Sequence, residues 1–372
     1  MKKILFLIPN LSEGGAEKVL INLVNSLDSR KYNITVYSLF DTGSNKSKLN
    51  KRINYKYYFK KQFRGNIHIL KLFTPRYLYK KIIGETYYDY VISYLEGPTT
   101  RIISGGDNPK IKKINWIHTD VSINKLSFKA YRSKTEMKSC FSNFDKTVFV
   151  SNVAKYEFLK LNIVNKSSTK TLYNLIDSED ILKKANENIS DDYKIDYKKI
   201  NFIALGRLTR VKGFERLINI FSEVVKKHKN VHLYIIGKGE LELKILKKIK
   251  ELRLEDFISL LGYKENPYPY IKKANYVVCS SYTEGYSSVV AEAVILGKKV
   301  LTTDCSGMKE ILNEKSLGKI VENSDQGIYY GLLDIIENFT IKININEKEK
   351  FSSEKYMKEN LKEFESFLNE IL

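Results

Sequence analysis

Asn201-Phe202-Ile203-Ala204-Leu205-Gly206-Arg207-Leu208-Thr209-Arg210-Val211-Lys212-Gly213 is the stretch that decides the fold. Its apolar run is short and stops at a glycine, which reads as a buried strand; the basic loop then leads into a helix from Phe214 to Lys227. The same order returns downstream. Val231 to Ile236 ends at Gly237-x-Gly239 and feeds a helix from Glu240 to Leu252. Phe257 to Leu261, Tyr276 to Cys279 and Lys299 to Thr303 are further strands, with a helix from Ser287 to Leu296 between the last two. Strand, loop and helix in repetition predict a parallel, doubly wound sheet, in which ligands sit beyond the carboxyl ends of the strands.

The first half of the chain repeats the pattern less cleanly. Lys3 to Ile8 is a strand, followed by a Gly14-Gly15 turn and a helix from Ala16 to Leu27. The start superficially matches a signal peptide, but Pro9, Asn10 and Glu13 cut the apolar run short, so a buried first strand is expected. Ile34 to Phe40, Tyr90 to Tyr94, Lys113 to Ile117, Thr147 to Val150 and Thr171 to Leu175 are strand candidates, and Ser151 caps a helix. Residues 41–85 are lysine- and tyrosine-rich and yield only a helix from Tyr77 to Ile83. The charged stretch from Ser178 to Lys199 lacks an apolar period. The expected division is 1–180, a linker at 181–199, a second domain at 200–350 and a terminal amphipathic helix within 351–372.

Length and composition agree with two soluble α/β domains: 372 residues, 43% hydrophobic and 28% charged. No stretch approaches the roughly 18 uncharged apolar residues that span a bilayer, so a soluble or peripheral protein is expected. Cys140, Cys279 and Cys305 are odd in number and far apart, which opposes a disulfide framework or zinc site and suits a reducing cytoplasm. The net charge of +20 is uneven: residues 1–180 hold 31 Lys/Arg against 15 Asp/Glu, and residues 181–372 hold 32 against 28. Such a basic half suits an anionic lipid surface, a polyprenyl diphosphate or nucleic acid, and equally a solvated lysine-rich surface.

Two loops carry chemistry. Arg207 and Lys212 stand between a strand end and a helix N-terminus, where two cations and the helix dipole would hold a diphosphate. Charge alone favours a solvated basic loop. Tyr282-Thr283-Glu284-Gly285-Tyr286-Ser287-Ser288-Val289-Val290-Ala291-Glu292 joins a strand to the most apolar helix of the chain. Glu284 precedes that helix, and Glu292 is expected two turns inside it, where a carboxylate needs a partner such as a ribose hydroxyl pair. Gly285, Ser287 and Ser288 would let backbone N–H groups approach a ligand.

Glu284-x7-Glu292 after a strand, preceded by Gly206-Arg207-x4-Lys212-Gly213, resembles the family 4 retaining glycosyltransferases of GT-B fold. The likeness extends through Asn10 to Glu17, Trp116-Ile117-His118, Phe149 to Asn152, Tyr173 to Asp177, Ile236 to Gly239 and Leu261-Gly262-Tyr263. It implies two Rossmann-like domains facing a cleft, with a C-terminal helix crossing back to the first. It further implies that Arg207 and Lys212 hold the donor diphosphate, that Glu284 contacts the transferred sugar and that Glu292 contacts the ribose. Tyr263 and Lys264 would flank the base, while Gly285, Tyr286, Ser287 and Ser288 would line the donor. Gly15 would bring the first helix to the diphosphate, and His118 would stand near sugar and acceptor. Tyr286-Ser287-Ser288 and Asp304-Cys305-Ser306-Gly307 depart from the usual family patterns.

No Asp-x-Asp occurs, so transfer without metal or cofactor is expected, with the nucleotide sugar as substrate. UDP is preferred by family frequency, and a GDP-mannose donor is the alternative. A basic, non-enzymatic nucleic-acid binder would explain the charge but not the two loops; no nucleic-acid module is present, and no such partner is expected. The acceptor expected is a lipid-linked or polymeric glycan of a bacterial surface polysaccharide. Lys60, Lys61 and Arg64, among Tyr55, Tyr57, Tyr58, Phe59 and Phe63, form either an amphipathic patch for the inner face of the plasma membrane or a tyrosine-rich core with exposed lysines.

Overall fold

The computed structural model describes residues 1–12, 14–119, 125–189, 195–312, 315–339 and 353–371. The chain forms two compact units: Met1–Leu175 with Lys358–Leu372, and Ile176–Met357.

The first unit runs β1 (Lys2–Ile8), α1 (Gly15–Ser26), β2 (Tyr32–Phe40), β3 (Asn54–Phe59), α2 (Asn66–Leu72), α3 (Pro75–Ile82), β4 (Tyr90–Ser93), α4 (Pro98–Ile103), β5 (Lys112–Ile117), α5 (Lys134–Ser142), β6 (Lys146–Phe149), α6 (Asn152–Leu159) and β7 (Thr169–Thr171). Among the described residues these strands make a seven-stranded parallel sheet in the order β3-β2-β1-β4-β5-β6-β7. Ile4 to Ile8 are wholly buried because helices cover both faces of a parallel sheet, which is why β1 reads as an unbroken apolar run.

The second unit runs α7 (Ser178–Lys184), β8 (Ile200–Leu205), α8 (Phe214–Lys227), β9 (Val231–Ile236), α9 (Glu242–Glu251), β10 (Ile258–Leu260), α10 (Tyr268–Lys273), β11 (Tyr276–Cys279), α11 (Ser288–Ile295), β12 (Lys299–Thr303), α12 (Met308–Ile311), β13 (Gly318–Val321) and α13 (Asp325–Glu337). Its six described strands are parallel in the order β10-β9-β8-β11-β12-β13. The strand order reverses between β1 and β4 in one sheet and between β8 and β11 in the other, so each unit has a switch point at which the following loops diverge.

The final helix, α14 (Ser353–Ile371), completes the first unit. Phe364, Phe367 and Leu368 are buried, the Phe364 ring stacks on Trp116 at 5.7 Å, and the Tyr90 hydroxyl donates to the Leu368 carbonyl at 2.7 Å.

Several expectations shift. The stretch read as a linker begins inside α7, which Asp177 caps through the Asp180 N–H; its Ile181 and Ala185 are buried in the second core, too few to show a period. Residues 190–194 and 340–352, which include the expected end of the second domain at 350, lie outside the described residues. The strand expected at Thr171 to Leu175 is instead Thr169–Thr171; the Leu172 N–H still donates to the Phe149 carbonyl of β6 at 2.9 Å, and Leu172 and Leu175 are buried beyond the strand's end. β3 escaped the reading because it is an edge strand, half exposed and without an apolar alternation, and the seven-residue α2 is too short to show a period. Ser151 does cap α6, accepting the Ala154 N–H.

Candidate functional site

The loops after β8 and β11 meet at the switch point of the second unit. Gly213 turns the chain from a short 3-10 turn (Arg210–Lys212) into α8 with φ +68°, and a Cβ there would lie 2.1 Å from the Ser280 carbonyl oxygen. The Ser280 hydroxyl donates to the carbonyls of Lys212 (3.1 Å) and Gly213 (3.2 Å), so the two loops are fastened along their backbones. The glycines after β9 lock a third loop to the first: a Cβ on Gly237 would lie 1.9 Å from the Gly206 carbonyl oxygen, and one on Gly239 2.6 Å from that of Leu208.

Beneath this junction lies an arginine that the sequence reading did not single out. Arg216, on the first turn of α8, is buried. Its Nε and Nη2 donate to the Ser280 carbonyl (2.8 and 2.6 Å), and Nη2 also reaches the Ser281 carbonyl (2.7 Å) and Asn323 Oδ1 (2.8 Å). Its guanidinium lies 3.8 Å from the centre of the Tyr282 ring. Burial lowers its pKa, since an ion loses hydration there. Thr303 Oγ1 (2.7 Å) and Cys305 Sγ (3.2 Å) donate to the same Ser281 carbonyl, so the unusual Asp304-Cys305 pattern supports the same loop. Burial pushes the Cys305 thiol up to about 11.

On this base the Lys212 Nζ stands 2.6 Å from Glu284 Oε1, to which the Ser281 hydroxyl also donates at 2.6 Å. The lysine side chain is 23% exposed and the glutamate 10%. Burial opposes the charge on Lys212, but the Glu284 carboxylate more than offsets it, and the lysine pKa is raised. Arg207 is exposed, and its charge acts on Lys212 in the opposite sense, so two cations share this rim.

Gly285 is buried and Tyr286 half-buried against the second core. Ser287 is the N-cap of α11, its hydroxyl accepting the Val290 N–H at 3.4 Å, and Ser288 is the first residue of that helix. Glu292 is buried as its fifth residue, one turn inside rather than two, because the helix starts at Ser288. Thr283 Oγ1, beside Glu284, is buried without a hydrogen-bond partner among the described residues. After β10, Gly262 takes φ +68°; the Tyr263 ring is exposed with the Lys238 ammonium 4.5 Å from its centre, and the Lys264 ammonium lies 5.6 Å from the Tyr270 ring.

Gly15 and His118 belong to the first unit, at carboxyl ends of its strands. Gly15 is the exposed first residue of α1, while Gly14 is its N-cap, packed against the carboxylate of buried Glu17, which a Cβ there would meet at 2.1 Å and displace. His118 follows β5 and is buried, its ring 4.6 Å from that of Tyr94; among the described residues Nε2 has no hydrogen-bond partner. Burial lowers its pKa to about 3, so the imidazole is neutral. Its backbone N–H donates to Glu96 Oε2 at 3.0 Å, and the Thr119 hydroxyl donates to Glu96 Oε1. Burial raises the Glu96 pKa against those hydrogen bonds, which act the other way. Glu96 also went unnoticed in the sequence; its only signal is its place just past β4.

Lys60, Lys61 and Arg64 are exposed. Of the two readings of the aromatic residues around them, packing favours the core: Phe59 and Phe63 pack on Phe40 at 5.6 and 5.9 Å, and the Tyr55 hydroxyl donates to Asp41 at 2.9 Å. No described helix is long and apolar enough to cross a membrane.

Two family models cover these two halves. The model described as "Glycosyltransferase Family 4" matches residues 13–180, and "Glycosyl transferases group 1" matches residues 185–354. The chain belongs to the family 4 glycosyltransferases. It is an enzyme of GT-B fold, built from two Rossmann-like parallel-sheet units. An uncharacterized glycosyltransferase of Methanocaldococcus jannaschii is 34% identical over 195 residues, 52% of this chain; the chain spans 48% of that relative. A Campylobacter jejuni N-acetylgalactosamine-N,N'-diacetylbacillosaminyl-diphospho-undecaprenol 4-alpha-N-acetylgalactosaminyltransferase is 26% identical over 91% of each chain. Among solved structures, Anabaena HepE in complex with UDP and glucose superposes with a TM-score of 0.77 at 17% identity, covering 99% of this glycosyltransferase and 100% of HepE.

Proposed function

We propose that this glycosyltransferase moves a hexose or N-acetylhexosamine from a UDP-sugar to a lipid-linked or polymeric glycan of a bacterial surface polysaccharide, with retention and without a metal. The observation that carries the proposal is the Lys212–Glu284 pair beside Arg207, on loops fastened to each other at the switch point of the second sheet. Arg207 and Lys212 take the donor diphosphate and stabilise it as the leaving group. As the diphosphate claims the lysine, Glu284 is released to a hydroxyl of the transferred sugar. Glu292 takes the ribose, Tyr263 and Lys264 the base, and the backbone of Gly285 to Ser288 approaches the donor at the start of α11. Gly15 and His118 keep the roles that the family resemblance gives them. The UDP complex of HepE supports the choice of base, and the diphospho-undecaprenol acceptor in the Campylobacter relative's name supports a lipid-linked acceptor at a membrane face.

A thermal-shift series across UDP, GDP and ADP and their sugars tests the donor, since a bound ligand stabilises the native state. A shift with UDP and its sugars is expected. A shift with GDP-mannose alone would replace the UDP assignment, and product of inverted anomeric configuration by NMR would remove retention.

A further inference from the structure

We propose that the corner between α2 and α3 is a membrane-docking element for an anionic bilayer, with Ile69, Leu72, Phe73 and Tyr77 entering the lipid interface. The proposal deepens the reading of a lipid-linked acceptor and rests on it.

Four apolar side chains at this corner gain little from folding. Leu72 is 76% exposed, Tyr77 49%, Ile69 45% and Phe73 39%. They are contiguous: Ile69 and Leu72 are three apart on α2, Phe73 follows, and its ring stacks on Tyr77 with centres 5.0 Å apart. A continuous exposed apolar patch of this kind marks a surface that something covers.

Charge identifies the cover. Between Asp41 and Glu85 the chain carries 12 Lys/Arg and no Asp or Glu. Lys60, Lys61, Arg64, Lys80 and Lys81 are exposed. Arg76 is also exposed and pairs with Asp107 at 2.8 Å, the one ion pair among the described residues that involves any of these six side chains. Exposed aromatic and aliphatic side chains in a segment with this excess of exposed cations match an anionic headgroup layer over acyl chains. The core of a protein–protein interface is depleted in lysine instead.

The backbone is prepared for lipid as well. A helix end leaves carbonyl groups unpaired, and these are costly away from water. Here three carbonyls at the corner have arginine donors, two of them from a buried side chain. The guanidinium of Arg101, which is 1% exposed, donates from Nη1 to the Leu70 carbonyl (2.8 Å) and from Nη2 to the Phe73 carbonyl (2.7 Å), and it pairs with Glu136 at 2.9 Å. Arg132 Nε donates to the Lys71 carbonyl at 2.6 Å. The corner can therefore leave water without stranding these three acceptors, and it is held rigidly while it does so.

Flotation of the full chain with vesicles tests the proposal, using phosphatidylcholine alone or an equimolar mixture with phosphatidylglycerol. The wild type is expected to float with the anionic vesicles only and to be released by salt. Leu72→Ser with Phe73→Ser should weaken binding at least roughly tenfold, since two interfacial apolar side chains are lost, while the UDP thermal shift is unchanged. Lys60→Glu with Lys61→Glu should lose the preference for anionic lipid. Wild-type chain that ignores anionic vesicles, or an apolar variant that floats like wild type, would overturn docking and leave the donor reading intact. An absent UDP shift with intact flotation would do the reverse. A wild-type dimer abolished by the apolar variant would make the corner a self-interface and overturn the proposal.

Discussion

Replacing Lys212 by alanine separates two consequences of one ammonium group. The ion pair with Glu284 is 2.6 Å long, and its partners are 23% and 10% exposed. At an effective dielectric near 20 the bare attraction is about 6 kcal/mol, but desolvation and partial exposure offset most of it. A net loss of about 1–2 kcal/mol is the reasonable figure, worth roughly 2–8 °C in the melting temperature of a unit this size. Stabilising a departing diphosphate is worth more: removing one such contact costs about 2.7–4 kcal/mol, or 10²–10³ in rate. Lys212→Ala is therefore expected to melt a few degrees early and to lose two to three decades in kcat at saturating donor. Glu284→Gln keeps an amide oxygen for Ser281 and Lys212 while freeing the lysine from its counter-charge, so it should bind UDP no more weakly than wild type and still turn over slowly. Because the Lys212 pKa is raised, the pair contributes fully below the ordinary lysine value and fades only as pH rises through the higher folded value. The stability gap between wild type and Lys212→Ala should thus be flat from about pH 6 to about pH 9. Calorimetric melting and donor-saturated initial rates, measured on the same preparations, check both parts. A turnover within about threefold of wild type would refute the diphosphate role, because uniform binding loss alone leaves kcat untouched.

Other perturbations are as direct. Arg216→Met leaves the buried Ser280 carbonyl without its donor, while the Ser281 carbonyl keeps Thr303 and Cys305, and it empties the place of a buried guanidinium; it should cost about 3 kcal/mol, read as a lower denaturant midpoint, and Arg216→Lys should recover only part of it. Gly213→Ala places a Cβ 2.1 Å from the Ser280 carbonyl at a positive φ, and should abolish the UDP thermal shift before it abolishes folding. His118 is neutral in the fold with a pKa near 3, so stability is expected to fall as pH drops from the unfolded value of about 6.5 toward 3, by at most about 1.4 kcal/mol per pH unit. Chemical denaturation of wild type and His118→Phe between about pH 5 and pH 6.5 should show the imidazole slope as the difference between the two, because Glu96, whose raised pKa adds an opposite slope above the ordinary carboxylate value, is present in both.

The residues that were legible beforehand share a physical cause. β1, β8 and β11 are buried on both faces, so they appear as unbroken apolar runs, and the loops after them carry the charges and glycines that lack any other place. Lys212 and Glu284 could be assigned to one site in advance because their loops follow strands of one sheet, but their ion pair shows only in the structure. Arg216 could not. An arginine on an amphipathic helix reads as solvent-facing, and its partners lie 64 to 107 residues away. Glu96 has no local pattern, and its link to His118 exists only because β4 and β5 are adjacent. The aromatic run from Tyr55 to Phe63 left two readings open: hydrophobicity marks both a core and a docking face, and only packing against Phe40 tells them apart.

The return of α14 to the first unit also sets a schedule for synthesis. Phe364, Phe367 and Leu368 close over Trp116 and Tyr90, yet they are translated after every strand of the second unit. A nascent chain therefore carries all seven strands of the first sheet, with Trp116 and Tyr90 not yet covered by α14, throughout the production of the second unit. Domain-by-domain folding on the ribosome, the usual route for a chain of this length, is here possible for the second unit before the first is complete. Supplying residues 358–371 in trans, or fusing them after residue 175, is the way to obtain the first unit as an isolated fragment.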